Sequence, residues 1–596
     1  MAIHKLAGPV WARLRGEKRL YSYVEFPVSP HRGQGVESGV KPQAVRRQQD
    51  QGRRANPQKR DCFDQRSTIH AHNDVMWTMG SALGARGSAL EVGGGAEGGR
   101  FGVGLHRGGR EGKLLSGQLL RTSEMTLEQR QRAAAAYGTG VQVTPAGVTV
   151  ADAAVLVSPA TDRVVWQAAF GAPGEQEAAR WLLWEIGQAV GVMPASIHDL
   201  YTARGRGECG GFTVPAINVR MIAYDTARAV FRAAIKADGG AILLEIARSE
   251  IAYTEQRPAE YVAVMIGAAL REGYRLPLFI QGDHCQVNAK KYQTDPEGEI
   301  SEVKKLIAEE VGAGFFNIDV DTSTLVDLSH PTLDEQQRDN YVRAAEITAF
   351  IRGLEPKGVT VSVGAEIGEV GHKNSTVEEL HAFMEGYNRS LAGLGTGLTG
   401  ISKISVQTGT SHGGVVLPDG SMADVKLDLA ALEALSKAAR PYGMAGAVQH
   451  GASTLPQDAF GTFPRIDTAE IHLATNFQSM VFDHPALPAE LRQRAYAWLD
   501  QQATGEKKPN DTPEQFYYRA RKRAIGPFKQ ECWSLPEAVR SAIAADLEKM
   551  FSFLFTQLGV PGTAEVVRRH VNPVRLHHAD LTKPAVRAID DADAGE

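Results

Sequence analysis

From about residue 196 onward, short apolar runs alternate with longer stretches whose apolar residues recur every three or four positions. The short runs cover 212–218, 240–247, 275–283, 315–320 and 359–363, two that end near His412 and His450, and 471–476. Brief, near-continuous apolar runs with polar ends predict strands buried on both faces, as in a parallel sheet. The periodic stretches at 223–237, 260–271, 299–312, 335–354, 377–390 and 427–439 predict amphipathic helices between them. Repeated strand-helix units with polar residues at the strand ends predict an α/β fold, a closed (β/α)8 TIM barrel. Residues 480–560 read as mainly helical. Within them Lys549-Met550-Phe551-Ser552-Phe553-Leu554-Phe555 is an apolar segment suited to covering one end of the barrel or a subunit contact.

The chain before this pattern divides in two. Residues 116–195 read as a small appended α/β segment, an α+β extension of the barrel. A helix is expected at 126–136 and a hairpin at 141–150 around Pro145-Ala146-Gly147. A strand is expected at 164–170, and an amphipathic helix at 175–190 whose Trp181, Leu182, Trp184, Ile186 and Val190 form a core or docking face. Residues 1–115 carry basic, polar and Gly-Arg-rich runs with almost no apolar periodicity, so they are expected to be a disordered arm. The arm also raises the hypothesis that translation begins at Met125, which native peptides from before that residue would refute. The barrel with its C-terminal helices is placed at 196–560 and a polar tail, frayed after about 570, at 561–596.

Composition changes this picture little. The chain has 596 residues, 43% hydrophobic and 22% charged, as in a soluble globular protein. A net charge of −4 gives no global case for nucleic acid or an anionic membrane as partner, and the basic run at 45–54 is read as solvated. Four scattered cysteines, Cys62, Cys209, Cys285 and Cys532, fit neither a disulfide framework nor a cysteine-based zinc site, which predicts a reducing, cytoplasmic location. Met1-Ala2-Ile3-His4-Lys5 lacks the sustained apolar core of a signal peptide, and no apolar run approaches a membrane span.

The candidate chemistry lies at the ends of the predicted strands, where barrel enzymes place it. One strand climbs through Leu278-Phe279-Ile280-Gln281 and stops on Gly282-Asp283-His284-Cys285, an acid and a histidine side by side. Two later stretches, Gly409-Thr410-Ser411-His412-Gly413-Gly414 and Val448-Gln449-His450-Gly451-Ala452-Ser453, also set a histidine against a glycine after a strand. Three histidines at three strand ends, with coordination left open, suit a catalytic zinc ion.

In order and spacing these motifs resemble the class II, metal-dependent ketose-bisphosphate aldolases, of which fructose-bisphosphate aldolase is the type. The resemblance runs over roughly 205–480. It rests on Val214-Pro215-Ala216-Ile217-Asn218, Gly282-Asp283-His284-Cys285, Asp321-Thr322-Ser323, Ala365-Glu366-Ile367-Gly368-Glu369-Val370-Gly371, Gly409-Thr410-Ser411-His412-Gly413 and His450-Gly451-Ala452-Ser453. It implies that His284, His412 and His450 ligate zinc and that Asp283 moves the proton of the hydroxyl that becomes an aldehyde. It also implies that Glu366 and Asp321 lie near the metal or at an alternate ion position. Gly413, Gly451, Ser453 and Thr475 would offer donors to a phosphate, Ser249 would face substrate, and a monovalent cation would sit by the phosphate. The implied reaction is reversible aldol cleavage of a ketose phosphate, with fructose 1,6-bisphosphate the default substrate and dihydroxyacetone phosphate and glyceraldehyde 3-phosphate the products. A homodimer is implied by the family.

Three departures bear on that expectation. After Gly371 the family carries a proton-transferring glutamate, whereas this chain reads His372-Lys373-Asn374-Ser375-Thr376, which leaves Glu369 and His372 as stand-ins. The late phosphate strand of the family reads Lys-x-Asn-x-Asp-Thr; here it is Glu470-Ile471-His472-Leu473-Ala474-Thr475, and His472 is read as incidental. The first third of the chain has no counterpart. These departures keep two alternatives in view: an aldolase for another sugar phosphate, of the tagatose type, and a metal-binding barrel without catalysis.

Overall fold

The computed structural model describes residues 125–368, 373–409, 417 and 427–578. The expected disordered arm at 1–115, the stand-in residues Glu369 and His372, and the site residues His412 and Gly413 lie outside the described residues.

Thr126 caps the first helix, Leu127–Ala134, through a reciprocal bond with Gln129. Strands β1 (Val141–Thr144) and β2 (Gly147–Val150) form the expected hairpin, Val141 opposite Val150. The segment 164–170 is not a strand. It belongs to the helix Pro159–Phe170, which Ser158 caps by accepting from the Ala160 N–H and which Pro159 opens. Ala160, Thr161, Val164, Val165, Ala168 and Ala169 are buried at helical spacing, so the Ser-Pro start outweighs the β-branched composition. The next helix, Pro173–Val190, ends on Gly191 in the left-handed conformation.

Eight parallel strands close a barrel: β4 (Val214–Asn218), β5 (Leu243–Ala247), β6 (Leu278–Gln286), β7 (Asn317–Asp321), β8 (Ser362–Glu366), β9 (Lys403–Val406), β10 (Ala447–Gln449) and β11 (Glu470–Leu473). Each pairs with the next, and β11 returns to β4 with Glu470 opposite Val214 and Leu473 opposite Ile217. A short β3 (Pro194–Ala195) adds to β6 outside the ring. Every barrel-strand residue except His284 and Gln286 is buried, as the near-continuous apolar runs predict.

Below the strands the helix His198–Gly205 plugs the barrel. Leu200 and Tyr201 join an apolar cluster with Phe212, Val214, Leu243 and Phe279, while the buried Arg204 donates to the Phe212 and Thr468 carbonyls. The C-terminal helix Glu537–Gln557 lies along the barrel helix Ala223–Ala237, tied by Arg540–Asp225 and Arg232–Glu548. Its Phe551 meets Phe477 of the helix after β11, with ring centroids 4.8 Å apart, so the apolar segment at 549–555 covers the barrel's flank. Residues past 570 are docked through 578 rather than frayed. Trp184 Nε1 donates to the Leu576 carbonyl at 2.7 Å, and Glu185 accepts from the His578 N–H at 2.8 Å. No helix among the described residues is long and apolar enough to cross a membrane.

Candidate active site at the carboxyl ends of the strands

Adjacent strand residues point to opposite faces, yet Asp283 and His284 both face the barrel mouth. A bulge makes this possible. Between β6 and β7 the register runs Gly282–Ile318 and then Cys285–Val320, so three steps on β6 match two on β7. His284 takes up the difference with φ at +40°, a left-handed conformation that a histidine adopts only at a cost.

His284 is the hub. Its Nδ1 lies 3.0 Å from Asp321 Oδ2 and 3.6 Å from Glu366 Oε2, and its Nε2 lies 2.5 Å from Nδ1 of His450. The two imidazoles stand perpendicular, with centroids 4.2 Å apart. His450 Nε2 meets Ser405 Oγ at 3.0 Å, which fixes the ring from behind. Two ring nitrogens closer than an ordinary N–H···N bond, with carboxylates around them, form a donor set suited to a borderline divalent cation such as zinc. Asp283, His284 and His450 each bring a ligand atom within 4.8 Å of the others, as do His284, Asp321 and Glu366. Burial alone would lower the basicity of His284, but Asp283, Asp321 and Glu366 lift it well above the usual imidazole value. Asp321 is held below the usual carboxylate range: burial pushes it up, and the bonds from His284, Ser323 and Gln286 more than reverse that.

Beneath this layer the barrel interior is charged. Lys403 Nζ, on β9, contacts Gln281 Oε1 at 2.7 Å and Asp319 Oδ1 at 2.9 Å, and bonds Glu470. Tyr201 donates to Glu470 from the plug helix, and Gln281 Nε2 bridges Glu245 and Glu470 at 3.0 Å each. Gly364 makes room for this pair: a Cβ there would meet Asp319 and stand 2.8 Å from Lys403 Cε. The strand that departs from the family's Lys-x-Asn pattern is thus internally compensated. Glu470 stands at the lysine position, and Lys403 supplies the cation from two strands away. Burial pushes Glu470 up, but Lys403 and His472 draw it below the usual range; Glu245 is pushed up by burial and by Asp283.

His472 is not incidental. It is buried on β11 with Nε2 2.7 Å from Glu470 Oε1, and Nδ1 3.0 Å from Asp283 Oδ1 and 3.2 Å from Glu245 Oε2. Its ring stacks on that of His450, with centroids 4.1 Å apart and planes 25° from parallel.

The remaining expected residues that are described, Gly451, Ser453, Thr475 and Ser249, follow the ends of β10, β11 and β5. Gly451 follows His450 with φ at +67°, and Ser453 Oγ accepts from the Ala474 N–H at 2.6 Å, tying the β10 loop to the end of β11. Thr475 opens the helix after β11, and Ser249 is half-buried in the helix that follows β5. Sequence reading noted Glu470 only as a departure and missed Lys403, Glu245 and Asp319. A single charge inside an apolar strand was the available signal, since such charges are seldom buried without partners. It also missed a cationic corner past β4. Arg220 bonds Asn218 and Glu250 and lies close enough to Asp283 to be influenced by it. Lys522, from the C-terminal helical region, is half-buried near Arg523 and Arg220, and burial foremost lowers its ammonium to about 8.

A closed parallel barrel whose acid and histidines converge at the strands' carboxyl ends defines the class of (β/α)8 barrels with a mouth whose side chains could hold a metal ion. Residues 205–531 match the family described as fructose-bisphosphate aldolase class-II, and the chain belongs to that family. Among solved structures it is similar to a fructose-bisphosphate aldolase from Campylobacter jejuni, at 18% identity over 60% of this chain and 92% of the other, with a TM-score of 0.37. It is also similar to the YdjI aldolase from Escherichia coli K12, at 15% identity over 62% and 99%, TM-score 0.37. A third is the native fructuronate-tagaturonate epimerase UxaE from Cohnella laeviribosi, at 13% identity over 64% and 86%, TM-score 0.42. No curated protein matches the chain.

Proposed function

We propose that the protein is a zinc-dependent aldolase that cleaves and forms a carbon–carbon bond in a phosphorylated ketose, with fructose 1,6-bisphosphate the default substrate. The reading rests on one observation above all: the Asp283 carboxylate stands beside the converging nitrogens of His284 and His450. His284, His450 and His412 would hold the ion, with Asp321 and Glu366 alongside. When bound, it supplies positive charge against the negative oxygen that develops as the bond breaks.

Asp283 accepts the proton of the hydroxyl that becomes the aldehyde oxygen and returns it in the synthetic direction. Gly451, Gly413, Ser453 and Thr475 offer donors to one phosphate, beside which a monovalent cation is expected. Arg220, which also bonds Gln478 of the helix that Thr475 opens, and Lys522 would add positive charge past β4, the strand next to β11, where the other anionic end would lie. Because Lys522 loses its proton near pH 8, affinity for that end should weaken as pH rises through 8. Lys522→Arg, which stays charged, should flatten the rise in KM; an unchanged pH profile would remove Lys522 from the site. A homodimer and a cytoplasmic location belong to the same reading.

The altered β11 favours a second reading within the class, cleavage of another ketose phosphate such as a tagatose bisphosphate. A retro-aldol assay across ketose mono- and bisphosphates, with chelator and with zinc restored, separates the two. Zinc-restored cleavage of any of them supports the class, and the preferred ketose decides between the readings. A zinc-loaded, folded protein that cleaves none favours the non-catalytic barrel.

A further inference from the structure

The strand β11 replaces the family's Asn with His472, and the replacement faces the proposed acid-base group. Its ring has little freedom. One face lies on His450, with centroids 4.1 Å apart, and Nε2 is 2.7 Å from Glu470 Oε1. Glu470 cannot drift either, because Lys403, Gln281 and Tyr201 all bond its carboxylate. The chain of contacts therefore runs from the plug helix and β9, through Glu470, to a ring locked in one orientation. Its remaining nitrogen, Nδ1, comes 3.0 Å from Asp283 Oδ1.

Asp283 needs such a hold. It follows Gly282 at a bulge, where the ladder no longer dictates side-chain direction. Its acidic neighbours, Glu245 and Asp319, lie close enough for mutual repulsion. A proton-transferring carboxylate displaced by about 1 Å can lose about 100-fold in rate.

We propose that His472 is the positioning residue of Asp283: braced by Glu470, it holds the carboxylate through its Nδ1 contact in the place from which it handles the substrate hydroxyl proton. The inference rests on the aldolase reading for its catalytic consequence, but not for its geometry. Each is therefore tested separately.

The geometric test needs no turnover. Crystal structures of the whole protein and of His472→Ala, both zinc-loaded, are compared. The expected result is an Asp283 carboxylate shifted by about 1 Å or more in the variant, with His284 and His450 in place. An unmoved Asp283 overturns the proposal, whatever the enzyme's activity.

The kinetic test uses whichever ketose phosphate the wild type cleaves. His472→Ala should lower kcat about 100-fold with KM within about 3-fold and zinc content unchanged. His472→Asn, which keeps an N–H donor where Nδ1 stood, should recover a large part of the loss. In an Asp283→Asn background, His472→Ala should add almost nothing, because both changes act through one carboxylate. Additive losses, or a fall in zinc content that accounts for the lost rate, would instead make His472 a support of the fold or the metal and overturn the proposal. Failure of the wild type on every ketose phosphate would count against the aldolase reading alone, and the crystallographic comparison would still decide the placement of Asp283.

Discussion

Lys403 is 1% exposed, with its ammonium between Asp319 and Glu470 in the middle of the barrel. An ionised group in such a place is tolerable only with partners, and removing one partner leaves the others uncompensated. Lys403→Met should therefore destabilise the protein by about 3–5 kcal/mol in urea unfolding. The sign of its pH dependence follows from Glu470, which Lys403 now draws below the usual carboxylate range. Without the lysine, burial, the largest influence on Glu470, is expected to outweigh His472 and Gln281 and lift its folded-state pKa above the unfolded value. The folded form then binds the extra proton, and stability falls as pH climbs through that window. The deficit should be larger at pH 8 than at pH 5; a deficit independent of pH would contradict this account of the pair. At this scale the sequence told a good deal about the mouth and little about the interior. Asp283-His284 and His450-Gly451 are motifs of adjacent residues and can be read locally. The role of His472 depends on which face of β11 it occupies and on Asp283, 189 positions earlier, being its neighbour. The bulge that turns both Asp283 and His284 inward is a property of register with β7, which no local pattern records.

Among the elements, the helices and strands of the barrel follow from periodicity, because each strand is buried on both faces and each helix on one. Residues 164–170 mislead for a physical reason. Val164, Val165 and Trp166 favour strands, but Ser158 and Pro159 start a helix whose buried face continues through Ala169. The appended segment and the C-terminal strap depend on one another. Trp184 is 3% exposed, packs where Gly314 has no side chain, and donates to Leu576. Trp184→Ala should cost about 3–5 kcal/mol and loosen residues 571–578, seen as faster amide exchange there. Trp184→Phe keeps most of the packing and loses the bond, so about 1–2 kcal/mol is expected. Equal losses in the two variants would show that the strap contributes by hydrogen bonding alone.

At the largest scale, the described residues build a barrel with a plugged floor and a charged interior that rises to a metal-suited mouth. The floor has its own pH signature. His198 is buried in the plug helix, and burial foremost, with Arg352 adding repulsion, lowers its imidazole to about 4. The folded form therefore refuses a proton that the unfolded chain accepts between about pH 6.5 and 4. Stability should fall across that interval by up to about 3 kcal/mol from this residue, and His198→Gln should flatten that part of the acid limb. An unchanged limb would place the acid sensitivity elsewhere. The count and order of strands were legible because alternating units force a closed parallel ring. The plug was not, because helix 198–205 is short and its partners, Phe212 and Thr468, are brought together only by closure of the barrel.

The central claim is that this mouth performs metal-dependent aldol cleavage. The most direct measurement is the rate of triose phosphate release from fructose 1,6-bisphosphate by protein stripped of metal and then reloaded with zinc, beside His284→Ala treated alike. The account predicts no release from stripped protein, full recovery with one zinc per chain, and none from the variant. Cleavage that persists without metal, or in His284→Ala, would contradict it.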